Sequence, residues 1–106
     1  MRTQAEYKIK TIDINAREWF DKVNGNSYFS GTIVLNYGED GENQEKTYDM
    51  PFQYGYGNHY IDVAGQELSR LGYIVSDDRT ALWRYCKDNN IILRTNKAKN
   101  CLKREL

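Results

Sequence analysis

The sequence predicts a single α+β domain, with a mainly antiparallel sheet packed on one face by helices. Three observations carry this expectation. Apolar residues alternate along 27–37 and 47–54, an apolar period of 3.6 runs from Ile61 to Leu71, and 106 residues suffice for one hydrophobic core but not for two. The expected order is β-α-β-β-α-(β)-α-β across residues 1–106, with a basic C-terminal strand and tail from about residue 91.

Residues 7–14 alternate from Tyr7 to Ile9 and then slip phase onto Ile12 and Ile14, which reads as a strand with a bulge near Thr11. A short helix is expected over 15–24. Asn15 can cap it, Glu18 stands three residues later as in a capping box, Gly25 supplies a stop, and Trp19, Phe20 and Val23 make an apolar face. The clearest strand is 27–37, with Phe29, Gly31, Ile33, Leu35 and Tyr37 on one side and Tyr28, Ser30, Thr32, Val34 and Asn36 on the other. An acidic loop, residues 38–46, joins it to a second strand in which Tyr48, Met50, Phe52 and Tyr54 alternate. Pro51 cannot donate to a ladder, so that strand lies at an edge, is bulged there, or ends there.

Helix two follows Gly57, with Ile61, Ala64, Leu68 and Leu71 on one face and Gly72 as its stop. A short strand at 73–75 precedes helix three, capped by Ser76, carrying Asp77 and Asp78 in its first turn, and ending at Asn89 and Asn90. Residues 91–95 form the last strand. The expected core comprises Ile9, Ile12, Ile14, Trp19, Phe20, Val23, Ile33, Leu35, Met50, Ile61, Leu68, Leu71, Leu82, Trp83, Ile91 and Leu93.

Composition narrows the function classes. Forty per cent apolar and 28% charged residues fit a globular chain, no run approaches a membrane span, and the first residues lack the apolar stretch of a signal peptide, so a cytoplasmic protein is expected. Net charge is zero but unevenly placed: residues 1–83 carry 8 Lys and Arg against 13 Asp and Glu, and residues 84–106 carry 7 against 2. A +5 terminal segment suits phosphate or an acidic partner, or else folds against the chain's own acidic body.

No enzyme is expected, because no catalytic constellation is legible. His59 is the single histidine, no serine sits in a G-x-S-x-G setting, and no phosphate-binding GxxxxGK[ST] loop occurs. The acidic loop lacks EF-hand spacing, and Cys86 and Cys101 belong to no C-x-x-C pair, so neither metal nor cofactor is expected.

The most unusual stretch is 50–60, where Phe52, Tyr54, Tyr56, His59 and Tyr60 surround Gly55 and Gly57. It is either an aromatic-packed turn whose glycines serve backbone geometry, or a pocket rim whose rings stack on a flat group. The candidate ligand or partner contacts are Tyr54, Tyr56, Asn58, His59 and Tyr60. Alternation places Tyr54 in the core with Met50 and Phe52, while Tyr56 leaves the strand after Gly55. For phosphate or an acidic partner the candidates are Arg94, Lys97, Lys99, Lys103 and Arg104.

The blocks EWFDKVNGNSYFS, at 18–30, and MPFQYGYGNHYIDVA, at 50–64, resemble blocks in small bacteriophage and bacterial mobile-element proteins of no assigned activity. The resemblance covers roughly residues 9–72 and implies a setting, the cytoplasm of a bacterial host. It implies a mode of action by binding, whether to a nucleotide, a nucleic acid or a host defence protein. Two functions are therefore expected: a non-catalytic nucleotide or nucleic-acid binder using the aromatic loop and basic tail, or an anti-CRISPR-like, anti-defence inhibitor acting by protein contact.

Overall fold

A computed structural model describes residues 7–55, 57–73 and 82–106. It contains strands β1 (Thr11–Asp21), β2 (Asn26–Leu35) and β3 (Lys46–Tyr54), helices α1 (His59–Arg70) and α2 (Leu82–Asp88), and strand β4 (Ile92–Ala98). The strands form one sheet in the order β3-β2-β1-β4; β1 pairs antiparallel with β2 and parallel with β4, and β2 pairs antiparallel with β3. The α+β class holds, with both helices on one face.

One expected element is absent: residues 15–21 are strand, not helix. Ile12, Ile14 and Ala16 point inward while Asn15 and Arg17 point out, a period of two, and β1 is paired along its length with β2 and over Thr11–Arg17 with β4. Ladder bonds on both sides outweigh what a single capped turn offers a ten-residue helix. The supposed helix stop is a hairpin turn. Asp21 Oδ1 accepts from the N–H groups of Val23 (3.0 Å) and Asn24 (3.3 Å), Gly25 takes φ +71°, and its N–H donates to the Asp21 carbonyl at 2.7 Å. Val23 and Phe20 consequently stand exposed at and beside the hairpin tip instead of entering the core, and Trp83 lies on the outer side of α2.

Asn36, expected outward on β2, is a second correction. It ends the strand at φ +53° and is fully buried, leaving Tyr37 exposed. Its Oδ1 accepts from Lys10 N–H (2.6 Å) and Thr11 N–H (3.2 Å), and its Nδ2 donates to the carbonyls of Lys8 (2.8 Å) and Asn43 (3.1 Å). Every valence of the amide is used, which is the condition for burying it. Residues 7–10 are thus held mainly by side-chain bonds, with one backbone bond from Ile92 N–H to the Lys10 carbonyl at 3.1 Å.

A third correction decides the site. Gly31 pairs with Met50, but Phe29 pairs with Gln53, so Pro51 and Phe52 together oppose Ser30. This bulge on the edge strand, where the missing N–H of Pro51 costs no ladder bond, interrupts the alternation. Met50 stays buried, whereas Phe52 and Tyr54 turn to the opposite face and are 45% and 56% exposed.

The core lies between the sheet and the helices: Ile12, Ile14, Ala16, Phe29, Ile33, Leu35 and Met50 meet Tyr60, Ala64 and Leu68 of α1 and Leu82 and Cys86 of α2. The α1 end matches expectation. Gly72 takes φ +86°, Tyr73 N–H donates to Leu68 C=O and Gly72 N–H to Ser69 C=O, both at 3.0 Å, a Schellman motif. Asn90, at φ +58°, ends α2 the same way, with Ile91 N–H donating to Cys86 C=O at 2.8 Å. The expected cap at Ser76, the acidic turn of Asp77 and Asp78, and Ile74 and Val75 of the short strand lie outside the described residues. Among the described residues no helix is long and apolar enough to cross a membrane.

Candidate ligand-binding face

The sheet face opposite the helices is built from the outward residues of all four strands. Register sets them in rows. Trp19 of β1 opposes Tyr28 of β2, which opposes Tyr54 of β3, and the bulge adds Phe52 to the same row. Tyr28 stacks on Trp19 (centroids 5.6 Å apart, 28° between planes) and on Phe52 (5.2 Å, 8°), and meets Tyr54 edge to face at 5.9 Å. Four rings thus cross three strands at one end of the sheet, each steadied by a ring neighbour instead of by a covering helix.

Beside them lies an open trough of about 600 Å³. Its floor holds a second row, in which Asn96, Asn15, Thr32 and Asp49 are successive register partners across β4, β1, β2 and β3. Between the rows sit Arg17 and Ser30, and Phe52 and Leu106 add apolar surface to the lining. This combination of a few convergent polar groups with apolar surface is what ligand sites offer.

Among the described residues, the segment after β4 reaches over this face. Asn100 turns at φ +59°, Cys101 N–H donates to the Glu18 carbonyl at 3.0 Å, and Lys103 places its ammonium 5.4 Å from the Trp19 ring centroid. Lys99, Lys103 and Arg104 are exposed, and Lys103 stands at the same end of the sheet as the rings. The other basic candidates are engaged in the fold. Arg94 forms a two-pronged ion pair with Asp13 (2.6 and 2.8 Å), which holds its guanidinium all the more firmly protonated. Lys97 is only 11% exposed; it pairs with Glu18 at 2.6 Å, donates to Gly57 C=O at 2.7 Å, and lies 5.7 Å from the Tyr60 ring centroid.

Among its described residues, the aromatic loop does not gather at one place. Tyr54 belongs to the open face, Tyr60 is buried in the core, Asn58 and His59 are exposed at the start of α1, and Tyr56 lies outside the described residues. The His59 ring meets Phe29 edge-on at 6.1 Å. A Cβ on Gly55 would fall 2.6 Å from Phe29 Cε1 and 2.7 Å from His59 Cδ2, and Gly57 has φ +61°. These glycines serve close approach and backbone geometry. Burial pushes the Cys86 thiol up to about 11, so it stays protonated and inert near neutral pH. Among the described residues no group of three or more His, Cys, Asp and Glu could hold a metal ion.

Sequence reasoning missed Trp19, Tyr28 and Phe52. The available signal was the Asn24-Gly25 pair between two alternating runs, which marks a hairpin; that Trp19 then opposes Tyr28 depends on the register, in which Asp21 pairs with Asn26 across the turn at 22–25. No family model, curated protein or solved structure matches this chain, so its functional reading rests on its own geometry.

Proposed function

We propose that this chain is a non-catalytic binding protein whose sheet face opposite α1 and α2 engages a nucleotide or nucleic acid. The observation that supports this reading is the juxtaposition, at one end of one face, of the Trp19–Tyr28–Phe52–Tyr54 row, the polar trough and Lys103, with Lys99 and Arg104 exposed in the same terminal segment. Rings stack on bases whatever their identity, and lysine and arginine neutralise phosphate. The basic tail thus acts with the open face. The bacterial cytoplasm implied by the sequence resemblance is the setting for this activity.

The test is equilibrium binding of nucleoside mono- and triphosphates and of eight-nucleotide strands at two salt concentrations. Saturable binding that weakens in salt is expected, with Lys103→Ala/Arg104→Ala flattening the salt dependence. A second reading, an inhibitor of a host defence protein, draws on the exposed Phe20 and Val23 at the hairpin tip, 46% and 91% accessible. If folded protein binds none of the nucleotides or strands, and Val23→Asp instead abolishes capture of a host protein, that second reading replaces the first.

A further inference from the structure

The two rows on the open face differ in what they can recognise, and the difference narrows the ligand. Asn15 and Trp19 are four residues apart on β1, about 13 Å at roughly 3.3 Å per residue. That is about four times the ~3.4 Å step between stacked bases, so a base lying on the rings cannot also reach the polar row, and a base further along the same strand would meet it. A duplex, whose bases are already stacked on one another, offers these rings no free base face. A single strand offers both faces and edges.

Asn96, Asn15 and Asp49 are exposed and Thr32 half-buried, and among the described residues their side chains are not taken up by other groups. An asparagine amide presents a donor and an acceptor side by side, matching the edge of adenine, and a carboxylate only accepts, matching an exocyclic amino group such as that of cytosine. Lys103 lies on the Trp19 side of the face and Asp49 on the far strand, so the carboxylate stands away from the basic group that would take phosphate.

We infer that the face binds single-stranded nucleic acid and that the Asn96–Asn15–Thr32–Asp49 row reads base edges, favouring bases with an exocyclic amino group. The ring row and Lys103 supply affinity without sequence preference. This rests on the reading of the open face as a nucleic-acid surface.

The experiment compares single-stranded dA8, dC8 and dT8, and an eight-base-pair duplex, at one fixed salt concentration. The expected result is dA8 or dC8 binding about five- to tenfold tighter than dT8, with the duplex weakest. Asn15→Ala/Asp49→Ala, at exposed positions and with an unchanged melting curve, should remove that preference without changing the salt slope. Lys103→Ala/Arg104→Ala should weaken every strand alike. Equal binding of all three strands, tighter binding of dT8, or a preference that survives in Asn15→Ala/Asp49→Ala overturns base reading while leaving the surface itself intact. If no strand binds, the nucleic-acid surface and the base-reading row fall together.

Discussion

On the helix-covered face of the sheet, Ile12, Ile14, Ile33, Leu35 and Met50 are shielded by α1 and α2 and have essentially no accessible surface. One residue along the same strands, Asn15, Arg17, Ser30, Thr32 and Asp49 stay polar, and the rings of that face lean on one another on the side away from α1 and α2. Stability is therefore invested in one face, and the other is left with chemistry that folding does not consume. The charges divide less cleanly: Lys97 and Glu18 lock the α1 entry on the covered side and Arg94 pairs with Asp13 on the open side, where Lys103 lies beside Trp19.

The sharpest way to break this comparison is at neighbouring residues. Ile33→Ala should cost about 2–5 kcal/mol by leaving a cavity, whereas Thr32→Ala should change stability by less than ~0.5 kcal/mol; chemical denaturation of both variants reads the difference. Equal losses would mean the open face is also structural. Next in size is Asn36→Ala, which strands the buried N–H groups of Lys10 and Thr11 and two carbonyls, for a loss of about 2–3 kcal/mol in the same assay. Tyr54→Ala should leave the melting curve nearly unchanged while weakening single-strand binding by about 1–3 kcal/mol, as measured by anisotropy. Gly25→Val should cost about 1–3 kcal/mol through strain at φ +71°, seen as a lower Tm.

The smallest effect is alkaline. Burial raises the Cys86 thiol to about 11 and the Tyr48 hydroxyl, also bonded to Tyr73, to about 12. Each group is held neutral in the fold, so its contribution is complete below the ordinary pKa of the unfolded chain and is lost as pH rises through the folded value. Stability should fall from about pH 9 to 12. Cys86→Ala should flatten the lower part of that decline, and an unaltered profile would show that the thiol is not desolvated.

Much of the covered face was legible. The alternation of β2, the period of α1, the Gly72 stop and the edge position of β3 each follow from residues within one element. The open face was hidden by two local ambiguities. Asn15, Glu18 and Gly25 satisfy a helix cap and stop as well as they satisfy a strand and hairpin turn, and only pairing with β2 and β4 decides between them. Pro51 announced a bulge or an edge, but which face Phe52 and Tyr54 then occupy depends on the register with Ser30. The remaining contacts join distant segments: Lys97 to Glu18, Cys101 to the Glu18 carbonyl, and Lys103 to Trp19, all about eighty residues apart and outside any local pattern.

The most direct test of the division between the faces uses Trp83→Phe, which leaves Trp19 as the one tryptophan of the chain. Its fluorescence is then read during titration with a single-stranded eight-mer at low and then raised salt. The account requires a saturable change in Trp19 emission that weakens as salt rises and is smaller in Lys103→Ala/Arg104→Ala protein at the same sub-saturating strand concentration. Binding detected by anisotropy with Trp19 emission unmoved, or no binding by a folded protein, would contradict it.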